Sequence, residues 1–373
     1  MKKLILSLLV ITAITLRSQS QTVSLPDSIY SGKQGKFHVQ GLVVDKANQC
    51  VYFSFTDKLI KTDLTGKLIG SVTGLVGHLG DLDLSDGGKI YGSLEYKDDA
   101  VGQGIKQKLG VQAGNEDGFY IAIFDGSRIE RPDMDAEKED LLRTVYIKEA
   151  VQDYTAHRFG CSGIDGVAFA PSIGGSKPAK KFLYIAYGVY GDTAKSENDH
   201  QVILKYDVSD WEKYAQPLTQ VQLHHSGPQK PLAKYFLKTG NTRYGIQNLA
   251  YDPYTGNLFA AVYAGSKKQF PNYDLFVIDG KKKPVKSHIQ SDNQAIKVKT
   301  LSLLQAGPKD PKSGIRGWHF KWGSTGLCPL GDGLFYISHN SKTVDGQQQT
   351  IIYKYKWEGS DQHAFTLVEN RDL

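Results

Sequence analysis

A short hydrophobic segment that begins with a polar or turn-forming pair recurs five times along the chain. The second position of these segments holds Gly, Asp, Gly, Asn and Gly in turn, residue types that tolerate unusual backbone angles or a close neighbour. The five segments are Gln40–Asp45, Gly80–Ser85, Asp165–Ala170, Gln247–Asp252 and Thr325–Leu330. This recurrence over most of the chain indicates an internal repeat whose units begin with the same kind of strand.

Three further strands are predicted after each segment, because turns there separate runs rich in aromatic and β-branched residues. The second strands are Cys50–Phe55, Lys89–Leu94, Phe182–Tyr187, Asn257–Tyr263 and Leu334–His339. The third strands are Leu59–Leu64, Gly118–Asp125, Gln201–Asp207, Asp274–Asp279 and Thr350–Trp357. The fourth strands are Leu68–Val72, Arg143–Ala150, Leu218–His224, Lys297–Leu304 and Ala364–Glu369. Residues 132–142 are predicted to form a short polar helix.

Four strands repeated five times predict an all-β fold, a single β-propeller of five four-stranded blades around a central channel. A single blade cannot bury both of its faces, and a closed ring of blades solves that problem. Two alternatives stay open at this point. The strands could form an open β-sandwich with insertions, and the long insertions in blades two to four could contain a further blade.

The first twenty residues have the pattern of a signal peptide. Lys2 and Lys3 precede an apolar run from Leu4 to Leu16, and Ser18 and Ser20 give a small-x-small cleavage pattern. We therefore expect a signal peptide at residues 1–20, a propeller domain at 21–373, and a secreted or periplasmic protein. A retained anchor helix is the alternative, although the run is short for a membrane span. No later segment is apolar enough to span a membrane.

Charge and cysteine content narrow the expected partners. Removal of the segment's three basic residues lowers the formal net charge from +6 to +3, which gives no reason to expect a nucleic-acid partner. We expect a monomer that binds a small molecule or a glycan. Cys50, Cys161 and Cys328 are too few for a disulfide scaffold. One disulfide bridge is possible, and a bridge between Cys50 and Cys328 would join neighbouring blades.

Chemistry is expected at one mouth of the channel, where the loops before the innermost strands and those between second and third strands converge. His38, His78 and His339 come from neighbouring blades and could bind a transition metal or transfer protons. Glu95 and Asp165, with a histidine or Arg243, could serve as acid, base and anion clamp. Lys97 and Ser162 also fall at this mouth, without an assigned role.

Two further sets of residues share this predicted face. Hard oxygen ligands for Ca²⁺ could come from Asp81, Asp165, Gln40 and Gln247, although the same residues also suit turn capping. Aromatic residues that suit stacking on a sugar ring, about half of which we expect in the core, are Tyr96, Tyr187, Tyr190, Tyr244, Tyr263, Trp318 and Trp322, with His319 beside Trp318.

Two pairs of sequence segments resemble the blades of known propellers. Gly41–Asp45 followed by Val51–Ser54, and Leu249–Asp252 followed by Leu258–Ala261, resemble the blades of six-bladed gluconolactonase and strictosidine-synthase-like propellers. At the level of architecture the chain also resembles five-bladed calcium-activated nucleotidases. This resemblance implies a central divalent cation ringed by acidic and amide side chains, the types present at Asp81, Asp165, Gln40 and Gln247.

The sequence thus predicts an exported propeller that acts as a hydrolase or lyase on a sugar-like or anionic small molecule at the channel mouth, either with Ca²⁺ as its cofactor or with none. The alternative is a non-catalytic propeller that binds a glycan or a protein through its aromatic face. The chain contains no Gly-x-Ser-x-Gly, His-Glu-x-x-His or Cys-x-x-Cys motif, so no local signature decides between them.

Overall fold

Five β-sheets surround a central channel, and each contains one of the repeated segments as its innermost strand. The computed structural model describes residues 24–111, 116–175, 180–291 and 294–368, so the predicted signal peptide lies outside the described residues. Innermost strands contact one another in sequence, and the last contacts the first. The chain is therefore a five-bladed β-propeller, as predicted.

The first two blades follow one another along the chain after a short strand, β1 (Ser28–Tyr30), which joins the last blade. Blade 1 contains β2 (Val39–Asp45), β3 (Cys50–Phe55), β4 (Lys58–Asp63) and β5 (Leu68–Thr73). Blade 2 begins with β6 (His78–Leu84), β7 (Ile90–Tyr96) and β8 (Gly118–Phe124). The next strand, β9 (Met134–Asp135), pairs in parallel with β5 and so extends blade 1. Blade 2 continues with β10 (Leu142–Tyr146).

Blade 3 carries two additional strands that come from a later part of the chain. Its first strands are β11 (Cys161–Pro171), β12 (Lys181–Val189) and β13 (His200–Tyr206). The two-residue β14 (Gln216–Pro217) then adds to blade 2, and β15 (Ala233–Lys238) completes the continuous part of blade 3. Blade 4 contains β16 (Thr242–Asp252), β17 (Asn257–Ala264) and β18 (Leu275–Ile278). The hairpin of β19 (Val285–Ser291) and β20 (Gln294–Thr300) then returns to blade 3, where β20 pairs with β15.

Blade 5 contains both ends of the described chain. It consists of β21 (Leu327–Pro329), β22 (Leu334–Lys342), β23 (Gln348–Trp357) and β24 (Phe365–Leu367), together with β1. Ile29 of β1 lies opposite Ile352 of β23, so the N-terminal strand closes the ring against the last blade.

Two α-helices lie outside the blades: α1 (Ala100–Leu109), between β7 and β8, and α2 (Lys148–Thr155), between β10 and β11. Short 3-10 turns occupy Gly126–Arg128, Arg158–Gly160, Glu197–Asp199 and Trp211–Lys213. Within the described ranges, neither α-helix is long and apolar enough to cross a membrane.

Several sequence predictions about outer elements were wrong. Residues 132–142 form no helix, because Asp133 and Asp140 adopt positive φ angles of 57° and 51° that break it. The strand predicted at Arg143–Ala150 ends at Tyr146, and α2 follows. Leu218–His224 is not a strand, because Leu218 packs between blades 1 and 2. The segment predicted as one strand at Lys297–Leu304 is divided: its first four residues belong to β20 of blade 3, and Leu303 and Leu304 bond to β18 of blade 4.

The hydrophobic core consists of five clusters, one between each pair of neighbouring blades. Because each blade is covered on both faces, the inner strands are buried along their whole length, as in β2 and β3. All three cysteines are buried and unbridged. Burial of this kind accounts for the nearly continuous hydrophobic runs in the repeat.

Two polar side chains cross the channel axis and join the innermost strands. The Asp81 Oδ2 atom accepts hydrogen bonds from the backbone nitrogens of Val167 and Leu249, both at 2.9 Å. Asn248 donates to the Gln40 carbonyl at 2.7 Å and accepts from the Leu327 nitrogen at 3.1 Å. Asp81 therefore links blade 2 to blades 3 and 4, and Asn248 links blade 4 to blades 1 and 5.

The glycines of the repeat make this crossing possible. A Cβ atom on Gly41 would lie 2.8 Å from the Asp81 Cα atom, closer than side-chain atoms normally approach. The repeated second position therefore holds either a glycine that admits a neighbour or a polar residue that spans the axis.

We predict that Asp81→Ala destabilises the protein by about 2–5 kcal/mol, because it leaves two buried N–H groups without an acceptor. Burial raises the pKa of Asp81 well above its ordinary value, so the neutral amide in Asp81→Asn is the matched control and should cost far less. Urea unfolding of the three proteins at pH 7 measures both effects. Equal losses in the two variants would contradict the proposed acceptor role.

Candidate functional site

A cavity of about 290 Å³ lies at the mouth of the channel predicted to carry chemistry. Four of the five blades contribute to it, and blade 5 does not. The predicted site residues that line it are His38, Gln40, His78, Glu95, Asp165, Tyr190, Tyr244, Gln247 and Tyr263. The remaining lining residues are Lys97, Asp99, Val101, Ser162 and Gly188.

Glu95 is a buried carboxylate, 3% exposed, near the end of β7. Its Oε2 atom lies 2.8 Å from the Lys97 Nζ atom and 3.6 Å from the His78 Nδ1 atom. Its Oε1 atom accepts a hydrogen bond of 2.5 Å from the Ile164 nitrogen in blade 3. Burial opposes ionisation, but Lys97 and His78 outweigh it and lower the pKa of Glu95. Glu95 is therefore held as an anion.

A glycine makes room for this carboxylate. Gly163 has a φ of 131°, and a Cβ atom there would lie 1.8 Å from the Glu95 Oε1 atom. Any larger residue at this position would displace Glu95 from the Ile164 nitrogen and strain the backbone.

Lys97 brings a buried positive charge to the wall of the cavity. Its Nζ atom donates to the Ser162 carbonyl at 2.9 Å and lies 4.0 Å from the Asp99 Oδ2 atom. Burial alone would lower its pKa, but Glu95 and Asp99 raise the pKa of Lys97 above its ordinary value. This ammonium group is therefore already neutralised by two carboxylates.

Asp165 has the opposite environment from Glu95. It is 7% exposed, and its Oδ2 atom accepts a hydrogen bond of 2.7 Å from the Gln247 side chain. Burial is the main cause that raises the pKa of Asp165 from 3.8 to about 7, with His78 acting against it and Glu95 adding to it. One cavity thus contains an ionised carboxylate and a second carboxyl group whose proton is held until near neutral pH.

Two histidines complete this part of the wall. Burial, followed by His78 and two lysines, lowers the pKa of His38 to about 4, so its ring is neutral. His78 faces Glu95 through Nδ1, and within the described chain its Nε2 atom has no hydrogen-bond partner. His78 therefore lines the cavity with an Nε2 atom that no described side chain engages, and its Nδ1 atom lies near the Glu95 carboxylate.

Three tyrosines form the rest of the wall. The Tyr190 hydroxyl donates to the Asp99 Oδ2 atom at 2.8 Å, and Asp99 also caps α1. Tyr244 and Tyr263 meet edge to face with ring centres 6.3 Å apart. Tyr244 is 46% exposed and has a positive φ of 68°, an uncommon conformation for a bulky residue. An aromatic surface of this kind suits a flat, partly apolar ligand.

Other predicted site residues do not reach the cavity. Tyr96 lies between Glu95 and Lys97 in sequence and points to the opposite face, where its hydroxyl donates to Gln220 at 3.0 Å. Tyr187 is also buried and donates to Asp153 at 2.8 Å.

The remaining predicted residues lie in blades 4 and 5 or on the channel axis. His339 stacks on Trp322 at 3.8 Å, and its Nε2 atom lies 2.9 Å from the Tyr355 hydroxyl. The Trp318 indole donates to the Ser360 carbonyl, and the neighbouring His319 packs on Tyr273. Arg243 is exposed outside the cavity, and Asp81 lies on the axis.

Asp99 and Val101 were not expected at the site. Both belong to the insertion that carries α1, and the repeat gives no position for residues of an insertion. The Asp-x-x-Gly pattern at Asp99 could have indicated a helix start, but not where that helix lies.

The arrangement does not fit the calcium centre implied by the resemblance. The Oδ2 atoms of Asp81 and Asp165 already accept N–H groups, and the Lys97 ammonium lies in the same wall. Across the ranges that the structure covers, no group of three or more His, Cys, Asp or Glu side chains is placed to hold a metal ion. We derive no chemical step through a cation.

Comparison with known proteins finds similarity to solved structures at low sequence identity. No protein-family model matches the chain, and no curated protein does. An exo-1,5-alpha-L-arabinanase from a bovine ruminal metagenomic library is similar at 10% identity, covering 91% of this chain and 98% of that one, with a TM-score of 0.40.

Two further solved structures are similar over comparable lengths. A gluconolactonase-like protein has 12% identity over 88% of this chain and 93% of that one, with a TM-score of 0.32. The calcium-binding protein regucalcin from Agrobacterium tumefaciens strain C58 has 11% identity over 89% and 97%, with a TM-score of 0.34. The propeller architecture that the resemblance implied is confirmed by the five sheets of the chain itself, and we take no activity from these proteins.

We predict that Asp165 makes the protein less stable as pH rises from about 4 to about 7. The folded protein retains this proton where the unfolded chain has lost it, so the stability present below pH 4 is lost through the folded pKa. The loss should be of the order of 2–4 kcal/mol. Urea unfolding across this range should show a flatter profile for Asp165→Asn. Parallel profiles for the two proteins would contradict the shifted pKa.

Proposed function

We propose that the mouth cavity is the active site of a hydrolase or lyase that acts on a neutral, sugar-like small molecule without a metal ion. The observation that carries this proposal is the pair of carboxyl groups, Glu95 and Asp165, whose environments move their pKa values in opposite directions. Such separation within one pocket is the usual way in which acid and base roles are divided at neutral pH.

Asp165 is the proton donor in this proposal. Its carboxyl group lines the cavity, holds its proton until near pH 7, and is oriented by Gln247. A group whose pKa lies near the working pH is the most effective general acid.

Glu95 acts through His78 rather than on the substrate. Both of its oxygens are already engaged, by Lys97 and by the Ile164 nitrogen, and its remaining neighbour is His78. Glu95 is therefore a positioning residue, whose carboxylate lies beside the imidazole. His78 is the general base, because its free Nε2 atom is available to the substrate.

The walls favour a neutral sugar-like substrate over an anionic one. Apart from the histidines, Lys97 is the only basic residue among the described residues that line the cavity. Glu95 and Asp99 neutralise its charge. Tyr190, Tyr244 and Tyr263 offer aromatic surface, while Gln40 and Gln247 offer amide groups. A volume of about 290 Å³ suits one sugar ring or lactone, at the low end of the range for ligand pockets.

Export remains part of the proposal. The pattern at residues 1–20 supports it, with cleavage before Gln21. Mass spectrometry of the protein secreted by a bacterial host tests this point, because retention of the intact N-terminus would contradict it.

We predict that Asp165→Asn lowers kcat by about 10²–10⁴-fold on neutral chromogenic glycosides, lactones or esters, with KM changed much less. Activity of the wild type should fall as pH rises through about 7, because Asp165 then loses the proton it donates. Tyr244→Ala is the control, since loss of an aromatic wall should raise KM and leave kcat nearly unchanged. Addition of a chelator should have no effect.

The outcome separates this enzyme from a non-catalytic propeller. Exposed Tyr190 and Tyr244 at the mouth are also what a glycan-binding surface needs. Saturable binding of sugars without turnover, unchanged in Asp165→Asn and lost in Tyr244→Ala, would replace the enzyme with the binding propeller.

A further inference from the structure

A second cavity, of about 690 Å³, lies at the outer edge of blade 3, away from the mouth. We name it the basic groove, because its polar lining consists of basic side chains and one serine. These basic residues are Arg158, Lys234, Lys286, His288, Lys297 and Lys299. Among the residues that the structure describes, no acidic side chain lines it.

The hairpin of β19 and β20 places basic residues directly opposite one another. Lys286 is paired with Lys299, and His288 with Lys297. Side chains in such positions have Cβ atoms about 4.5–5.5 Å apart, and like charges there destabilise a sheet. Over the described ranges, none of these four side chains forms an ion pair.

Packing of its inward face explains why the hairpin lies against blade 3. This packing does not explain why the outward face is basic. Ile289, Ile296 and Val298 pack on the cluster between blades 2 and 3. Because side chains alternate along a strand, the paired basic residues all lie on the outward face, where all four are exposed.

The opposite wall of the groove is rigidly built. Asp153, fully buried in α2, contacts the side chains of both Lys234 and Arg158. The Arg158 Nε atom is buried without a hydrogen-bond partner. His157 and Phe159 on either side have positive φ angles of 54° and 57°, so strained backbone holds Arg158 in place.

Protection of a sheet edge accounts for only part of this pattern. β19 is the last strand of its sheet, and lysines on an edge strand discourage pairing with other chains. Lys297 and Lys299, however, lie on β20, which pairs with β19 on one side and with β15 at its end. The basic side chains that face one another across both strands therefore offer an anion a site over the outward face.

We propose that the basic groove binds an acidic polysaccharide, a chain of sugar rings that carry carboxylate or sulfate groups. The repeated anions match basic residues that recur along and across the hairpin. This inference does not depend on the chemistry of the mouth cavity.

Two other polyanions fit the groove less well. Single-stranded nucleic acids are bound by stacking on exposed aromatic rings, but Phe159 and Phe236 are 6% and 3% exposed and meet edge to face. Anionic membranes are bound by faces that combine lysine with Trp, Phe or Leu, and the described hairpin strands contain none of these three residues.

The test measures binding of the full mature protein to polygalacturonate and to heparin at low ionic strength, by isothermal titration calorimetry. The variant Lys286→Gln/Lys297→Gln/Lys299→Gln should weaken binding about tenfold or more. The matched control is Lys67→Gln/Lys309→Gln/Lys312→Gln, which removes the same charge from exposed positions elsewhere and should stay within about twofold of the wild type.

Thermal unfolding gives a second readout that also reports on folding. Removal of the opposed charges should raise Tm at low salt by about 2 °C, and polygalacturonate should raise the Tm of the wild type but not of the groove variant.

Three results would overturn the proposal. The first is the absence of wild-type binding to either polysaccharide, and the second is an equal loss in the groove and control variants. The third is tighter binding to a single-stranded DNA oligonucleotide or to phosphatidylserine vesicles than to the polysaccharides. If the groove variant abolished that binding, the groove would be a site for nucleic acid or membrane instead.

Discussion

The closure of five innermost strands around one axis is the constraint on which the rest of the structure depends. Strands that converge on an axis leave backbone N–H and C=O groups where no neighbouring strand can pair with them, and such groups are costly when buried. Asp81 and Asn248 meet this need from two blades, and between them they reach all five. Glycine at Gly41 leaves the space that the crossing requires.

The candidate site is built directly on this arrangement. Asp81 bonds to the innermost strands of blades 3 and 4, which also carry Asp165 and Gln247 of the cavity wall. Asp165 lies one position before the second column of the repeat in blade 3, as Gln247 does in blade 4, and the two side chains meet across the gap. Glu95 reaches from blade 2 to the Ile164 nitrogen of blade 3. The same side chains therefore join neighbouring blades and line the cavity, while the pKa of Glu95 is lowered by Lys97 and His78 within blade 2.

The sequence was most informative where both faces of a strand are buried. The five innermost segments and the second strands, such as Cys50–Phe55, could be predicted because burial demands continuous hydrophobic residues. Outer strands were poorly predicted, since their exposed positions accept many residue types. This is why residues 218–224 were wrongly predicted to be a strand and residues 297–300 were assigned to the wrong blade.

The candidate site residues also divide into those that the sequence predicted well and those that it did not. Repeat position brought Gln40, Asp165 and Gln247 to the mouth, together with His78 and Glu95. Tyr96 was misplaced for the cavity because a shift of one residue along a strand moves a side chain to the other face. Asp99 could not be predicted, because the insertion that carries it has no counterpart in the other blades. The raised pKa of Asp165 depends mainly on its burial in the assembled ring, which no local pattern contains.

Strand β1 pairs with the last blade, so closure of the ring depends on the order in which the chain is synthesised. Ile29 pairs with Ile352, so the last blade stays open until nearly all of the polypeptide is present. Contacts between residues so distant in sequence form slowly, because a long loop must close before they are gained. The predicted signal peptide ends eight residues before β1 begins. A chain exported by that segment would therefore cross the membrane unfolded, before β1 has paired with the last blade. Its ring would close only after export.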